Sequence, residues 1–115
     1  MRRGEIVAVS FDPAVGSEAA KTRPAVVVSN DAANATATRL GRGVVTVVPV
    51  TSNVARVYPF QVLLPARLTG LARDAKAQAE QVRSVAVERV GRRLGQLPPA
   101  IVADLDQALR VHLGL

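Results

Sequence analysis

Residues 16–30 read Gly-Ser-Glu-Ala-Ala-Lys-Thr-Arg-Pro-Ala-Val-Val-Val-Ser-Asn, a polar segment joined directly to a run of valines. Pro24 fixes its own φ angle and favours an extended conformation for Arg23, the residue before it. Residues 25–29 form a short apolar run, and their three valines are typical of a central strand buried on both faces. We therefore expect a charged loop that leads into a rigid strand and presents the Arg23 guanidinium at the mouth of that strand.

Further strand patterns lie on both sides of this segment. In residues 5–11, Val7, Val9 and Phe11 fall on one side of an alternating pattern. Residues 44–50 are β-branched at six of seven positions, the clearest strand pattern in the chain. The complete set of predicted strands comprises residues 5–11, 25–29, 44–50, 60–64, 75–79 and 81–87.

The C-terminal part of the chain predicts a helix. Pro98 and Pro99 are suited to its first turn. The residues that then recur at helical spacing, and are expected to face the core, are Ile101, Val102, Leu105, Ala108, Leu109 and His112. Together with the strands, this pattern predicts one mainly β, α+β domain over residues 1–115, a small antiparallel sheet with a C-terminal helix packed on it.

Two connections are less regular. Residues 30–39 fit either a capped helical turn, with Asn30 or Asp31 as the cap, or a polar loop. Residues 89–95 are rich in arginine and glycine and are interpreted as a basic turn region. Asp104 and Asp106 lie two apart on the predicted helix, so they cannot face one another and are expected to be solvated.

The charge balance indicates the class of partner. The 115 residues contain 15 Lys and Arg against 9 Asp and Glu, a net charge of +6 that favours a polyanion such as nucleic acid, an acidic peptide or an anionic membrane. Thirteen of the 15 cations are arginine. Arginine suits bidentate phosphate contacts, but the same bias is found in proteins from GC-rich genomes, and both interpretations stay open.

Composition also excludes several kinds of chemistry. The chain has no cysteine, which rules out disulfides, cysteine-based metal sites and a thiol nucleophile, and makes the cytoplasm the default location. A single histidine, His112, rules out a two-histidine ribonuclease mechanism and histidine-rich metal sites. No apolar run approaches the roughly 18 residues that a membrane-spanning helix needs.

Polar residues gather at the ends of three predicted strands, where neighbouring strands could bring them together. These groups are Ser17, Glu18, Lys21 and Arg23; Thr51, Ser52 and Asn53; and Glu80, Gln81 and Arg83. An arginine, a lysine and a threonine hydroxyl sharing one mouth would form a phosphate site. The competing interpretation is structural: Arg23 and Glu18 form a surface ion pair, and Thr51 and Ser52 bond only to turn backbone.

Several motifs, taken in order, resemble the MazF/PemK family of toxin endoribonucleases, and the resemblance covers essentially the whole chain. They are Gly4-Glu5-Ile6, Phe11-Asp12-Pro13, Gly16-Ser17-Glu18, Arg23-Pro24-Ala25-Val26-Val27-Val28-Ser29, Val48-Pro49-Val50-Thr51-Ser52, Tyr58-Pro59-Phe60 and Gln78-Ala79-Glu80-Gln81-Val82-Arg83-Ser84. The first strand differs from the family pattern, because Val7 and Ala8 stand where an aromatic residue is usual and Ser10 where an acid is frequent.

The resemblance implies a barrel similar to the SH3 fold and related to the CcdB and MazF toxins. It also implies a homodimer that cuts single-stranded RNA without a metal or cofactor and is neutralised by an acidic MazE-like antitoxin. By match to the family, the catalytic residues are Arg23, Thr51 and, in the loop beside them, Glu18. The expected RNA-binding residues are Ser17, Lys21, Ser52, Asn53, Gln81 and Arg83.

The family reaction is attack of a ribose 2′-hydroxyl on the adjacent phosphate, which leaves a cyclic phosphate and a 5′-hydroxyl. It needs a proton acceptor, a proton donor and a group that stabilises the charged phosphorane. Arginine is protonated at neutral pH and makes a poor general base, so Arg23 is assigned to stabilisation and proton donation, and Thr51 to a hydrogen bond with a phosphate oxygen. Glu18 is one candidate for the base; its other possible role is to orient Arg23.

Two other functions are compatible with the same fold. One is a non-enzymatic toxin similar to CcdB that binds DNA gyrase, for which no arrangement of phosphate-directed side chains is needed. The other is a basic module that binds RNA without cutting it, with an affinity that falls as salt is added.

Overall fold

The computed structural model describes residues 1–11 and 22–115. Along the chain its elements are β1 (Glu5–Ser10), β2 (Thr22–Val27), α1 (Asp31–Leu40), β3 (Val44–Thr51), β4 (Gln61–Leu64), α2 (Ala66–Thr69), β5 (Ala75–Gln78), β6 (Arg83–Ala86), β7 (Val90–Gln96) and α3 (Pro99–Leu113). Single 3-10 turns at Ala79–Gln81 and Val87–Arg89 flank β6. Within the described ranges, no helix is both long and apolar enough to cross a membrane.

The strands pair antiparallel in the order β4-β5-β3-β2-β1-β7, and β6 pairs with β3 beside this path. The long strand β3 organises the sheet. One of its edges pairs with β2, where Val26 lies opposite Val48. Its other edge pairs first with β6 and then, near its end, with β5, where Thr51 lies opposite Lys76.

Alternate residues of the central strands pack into two apolar cores, one on each face of the sheet. The core on the α3 side includes Ile6, Val26, Val48, Leu64, Ile101 and Leu105. The core on the other side includes Val9, Ala25, Val27, Ala37, Val45, Val47 and Val85. Full burial of a valine contributes roughly 1.5–3 kcal/mol, so a strand buried on both faces is a rigid support for whatever its end carries.

The structure confirms the mainly β, α+β prediction and the C-terminal helix. The predicted strands are all present, with ends that differ by at most three residues from the prediction. Residues 30–39 proved to be helical: the Asn30 Oδ1 accepts a hydrogen bond from the Ala33 N–H at 2.8 Å, and Gly41 ends α1 with a φ of 65°. The capped alternative is therefore the correct one.

Three interpretations were wrong. Residues 90–95 are not a turn but belong to β7, because pairing with β1 and an ion pair between Arg93 and Glu5 (3.3 Å) outweigh the local glycines, whereas Arg89 ends a 3-10 turn. His112 is exposed rather than core-facing, since it lies in the last turn of α3, beyond Ala108, the last buried residue of that helix. Asp106 is not merely solvated, since its Oδ1 accepts from the Arg3 guanidinium at 2.6 Å.

Candidate active site

A pocket of about 470 Å³ opens where β2 begins and β3 ends. Its walls combine strand-end polar groups, the turn after α2 and apolar side chains of the α3-side core. The lining residues are Arg23, Pro24, Val50, Thr51, Ser52, Gly70, Leu71, Ala72, Arg73, Ala75 and Leu94. Arg23, from the first predicted polar group, and Thr51 and Ser52, from the second, thus line one cavity.

Strand register explains why Arg23 and Thr51 meet there. Ala25 of β2 lies opposite Pro49 of β3 in an antiparallel pair. Arg23 and Thr51 each lie two residues beyond this pair, at the same end of the two paired strands. Arg23 and Thr51 accordingly line the same pocket, as adjacent antiparallel strand ends allow.

Arg23 is an exposed cation on a buried strand. The three residues that follow Pro24 are fully buried. Across residues 1–11 and 22–115, the Arg23 side chain has no hydrogen-bond or ion-pair partner, so its donors are available to a ligand. The arrangement presents a planar set of donors from a fixed backbone, which suits a phosphate group.

The Thr51 hydroxyl has one defined contact. Its Oγ1 accepts a hydrogen bond from the Asn53 N–H at 3.3 Å, and the Asn53 Oδ1 accepts from the Ala55 N–H at 3.2 Å. The structural interpretation of Thr51 as a turn-capping residue is thus correct in part. Because the oxygen acts as acceptor in this bond, the hydroxyl proton is still available for donation into the pocket.

Arg73 is a second cation on the pocket wall; its loop was expected to influence which RNA sequence is recognised, but Arg73 was not among the predicted site residues. It lies in the turn after α2, where Gly70 has a φ of 83° and the Asp74 carboxylate accepts from the Ala66 N–H at 2.8 Å. The sequence also marks residues 66–74, which contain Arg67 and Arg73, as a basic connection. Among the described residues that line the pocket, there are two arginines and no carboxylate, so the pocket favours an anion.

Lys76 is a further residue that sequence reasoning missed. It lies opposite Thr51 on the adjacent strand, yet only 7% of its surface is exposed. Its Nζ donates to the Arg56 carbonyl at 2.5 Å and lies 5.9 Å from the centre of the Tyr58 ring. The available signal was a lysine inside a strand of alanines, residues 75–79.

The remaining predicted residues divide into three sets. Ser52 lines the pocket, and Asn53 follows it as an exposed residue. Gln81 is exposed on a 3-10 turn, and Arg83 on β6 places its guanidinium 5.4 Å from the Phe11 ring centre; neither lines this pocket. Ser17, Glu18 and Lys21 lie outside the described residues. The third strand-end group is therefore not part of the pocket.

The described residues hold no cluster of metal ligands. Within residues 1–11 and 22–115, no group of three or more His, Cys, Asp or Glu side chains could hold a metal ion. The nearest carboxylate of the α2 turn, Asp74, is engaged with backbone at the start of α2. In the part of the chain that is described, the positive charge facing the pocket comes from arginine.

Comparison with known proteins agrees with this geometry. Residues 2–113 match the family model of PemK-like, MazF-like toxins of type II toxin-antitoxin systems. The chain is 69% identical over 115 residues to Endoribonuclease MazF9 of Mycobacterium tuberculosis. The alignment covers 100% of this chain and 98% of that protein.

Solved structures give the same answer. A MazE-MazF crystal structure from Deinococcus radiodurans matches with a TM-score of 0.77 and 32% identity, over 100% of this chain and 97% of that one. The crystal structure of MazF from the same organism matches with a TM-score of 0.75, also at 32% identity and with the same coverage. The chain therefore belongs to the PemK-like, MazF-like toxins of type II toxin-antitoxin systems, the family of these endoribonucleases.

Proposed function

We propose that this MazF-family endoribonuclease cuts single-stranded RNA at short sequences, without a metal ion, by attack of a ribose 2′-hydroxyl on the neighbouring phosphate. The observation that carries the proposal is the shared pocket of Arg23 and Thr51, at the neighbouring ends of the paired strands β2 and β3. Arg73 on the same wall supplies a second positive charge. Two cations on one wall can balance phosphorane charge that in other nucleases is balanced by metal ions.

In this mechanism the scissile phosphate lies between Arg23 and Thr51. The 2′-oxygen forms a bond to phosphorus while the bond from phosphorus to the 5′-oxygen breaks, giving a 2′,3′-cyclic phosphate and a 5′-hydroxyl. Arg23 stabilises the negative charge of the phosphorane and the Thr51 hydroxyl donates to a non-bridging oxygen. The leaving 5′-oxygen takes a proton, and Arg23 is the proposed donor.

Glu18 is one candidate for the proton acceptor of the 2′-hydroxyl. No carboxylate or histidine is among the described residues that line the pocket. Glu18 belongs to the connection that enters β2, only five residues before Arg23. Its alternative role is to orient the Arg23 guanidinium. The variant Glu18→Gln separates the two roles, because loss of a base removes the rise of kcat with pH, whereas loss of orientation lowers kcat at every pH.

The decisive experiment incubates purified protein with a long single-stranded RNA in excess EDTA and maps the ends by primer extension. Cuts at one short sequence, with 5′-hydroxyl and cyclic phosphate ends, are expected. Uncut RNA would contradict the proposal. Intact but salt-sensitively bound RNA would then favour a basic binding module, and inhibition of DNA gyrase would favour a toxin similar to CcdB.

We further propose that the protein is a homodimer, acts in the cytoplasm and is neutralised by an acidic MazE-like antitoxin that competes with RNA for the pocket. The family relationship and the net charge of +6 support these partners. Sedimentation should give twice the 12.1 kDa mass of one chain. A stable ternary complex with RNA still bound in the pocket would contradict competition.

A further inference from the structure

The segment of residues 52–60 joins β3 to β4 and begins next to Thr51. Its first eight residues are all exposed, although Val54, Val57 and Tyr58 keep only 37%, 41% and 41% of their surface accessible, and the rings of Tyr58 and Phe60 stack with centroids 5.3 Å apart. Exposed irregular segments of this kind are held weakly unless polar contacts fix them. The position of this segment beside the pocket therefore depends on the hydrogen bonds that reach it from the sheet.

Two buried side chains provide such bonds. The Lys76 Nζ donates to the Arg56 carbonyl at 2.5 Å, and the Gln61 Oε1 accepts from the Tyr58 N–H at 3.2 Å. The exposed fractions of Lys76 and Gln61 are 7% and 8%. Their two targets lie only two residues apart, so together they grip the segment near its centre. We call this pair of contacts the clamp.

Neighbouring side chains hold the two residues of the clamp in place. Gln61 Nε2 donates to the Glu80 carboxylate at 2.6 Å, which fixes the amide so that its oxygen faces the Tyr58 N–H. Lys76 stands between Ala75 and Ala77 on β5, and burial of an ammonium there is costly unless it is bonded. An apolar side chain would fill the same strand position at lower cost. A lysine here is thus explained by what it holds.

We propose that the clamp is a specificity-determining device: Lys76 and Gln61 position residues 52–60 so that polar side chains of this segment contact the nucleotides flanking the scissile phosphate. The inference rests on the proposed ribonuclease function. Lys76 lies opposite Thr51, and Ser52 is already part of the pocket wall, so displacement of the segment changes the wall directly. Lys76 and Gln61 are positioning residues, since they act through the segment rather than on the reacting atoms.

The test compares Lys76→Met and Gln61→Met with the matched control Arg3→Met. Arg3 is also a partly buried cation that donates to a backbone carbonyl, Val28 O at 2.9 Å, but none of its partners lines the pocket. Lys76→Arg keeps the charge and a donor and serves as the rescue variant. Amide hydrogen exchange of residues 52–60 is measured first, without RNA, followed by kcat, KM and the set of cleaved sequences.

We expect exchange of residues 52–60 to rise about tenfold in both clamp variants, as loss of one hydrogen bond to the segment would give, and to stay at the wild-type rate in Arg3→Met. KM should rise about tenfold, kcat should change little, and additional sequences should be cut; Lys76→Arg should restore part of the selectivity. Unchanged exchange would overturn the clamp, and unchanged KM and sequence preference would overturn its role in specificity.

Exchange also separates this inference from the proposed function. If the wild-type protein cuts no RNA but its segment is protected and the variants lose that protection, the clamp stands and its role in RNA specificity is refuted. If Lys76→Met fails to fold, Gln61→Met carries the comparison, because it removes the second contact without removing a charge.

Discussion

The position of Arg23 is determined by the residues next to it in the strand rather than by contacts of its own side chain. Pro24 restricts the backbone, the following residues are buried, and in the described part of the chain no acid neutralises the guanidinium. A side chain with this setting contributes little to folding and much to binding an anion. The same reasoning applies to Thr51, whose oxygen is used by the turn and whose proton is not.

Replacement of Arg23 by alanine should therefore separate activity from stability. We expect kcat to fall about 10²- to 10³-fold, the loss typical for removal of one group that stabilises developing charge, and the thermal midpoint to change little. Arg42→Ala is the control, since Arg42 is exposed in the turn between α1 and β3. Cleavage by Arg23→Ala at the wild-type rate would remove this residue from the mechanism.

Thr51 allows a finer comparison. Thr51→Val removes the hydroxyl and should lower kcat roughly 10- to 100-fold, the range for a lost hydrogen bond to a charged group. Thr51→Ser retains the hydroxyl and should keep most of the activity. Both variants are assayed by single-turnover cleavage of one defined RNA. Equal activity of the valine and serine variants would show that the hydroxyl is not a donor to the phosphate.

At the scale of elements, β7 connects the sheet to a wall of the pocket. A Cβ atom added to Gly95 would lie 2.2 Å from the Thr69 carbonyl oxygen, which is an impossible approach. Thr69 ends α2, and the turn that follows it lines the pocket. The absence of a side chain at Gly95 thus allows α2 to lie directly on β7, and this packing positions Arg73.

Gly95→Ala should accordingly damage both stability and activity. The backbone of α2 must move away, at a cost of about 1–3 kcal/mol, which corresponds to a fall of roughly 4–12 °C in thermal midpoint for a domain of this size. Gly91→Ala in the same strand is the control, because its added Cβ would have no contact closer than 3.4 Å. Equal midpoints for the two variants in thermal unfolding would contradict the packing argument.

Helix α1 gives the contrasting case of an element remote from the pocket. Asn30→Ala removes the side-chain cap on the Ala33 N–H and should cost about 1 kcal/mol. Chemical denaturation should detect that loss, while the rate of RNA cleavage measured well below the unfolding transition should be unchanged. A variant with lower kcat but full stability would mean that α1 takes part in the activity.

In the molecule as a whole, the elements that could be predicted from the sequence are those whose pattern lies within a few neighbouring residues. The valine run of β2, the β-branched residues of β3 and the spacing of α3 depend on a few neighbouring residues, and the structure has them all. β7 was missed because its arginines and glycines become a strand only through pairing with β1, far away in sequence. Arg23 and Thr51 followed from strand ends and resemblance, whereas Arg73 and Lys76 required knowledge of which segments pack together.

The net charge of +6 is a property of the whole molecule, since every cation contributes to the attraction of RNA. Only the cations near the bound strand release its counterions and so determine the salt dependence of binding. Binding of an RNA with a 2′-deoxy nucleotide at the mapped cut site should weaken linearly in a plot of log affinity against log salt. Arg73→Ala should make that slope shallower by about 0.7, the value for one lost contact to a single strand. Arg42→Ala should leave the slope unchanged. Equal slopes for the wild-type protein and both variants would mean that Arg73 on the pocket wall does not contact the RNA backbone.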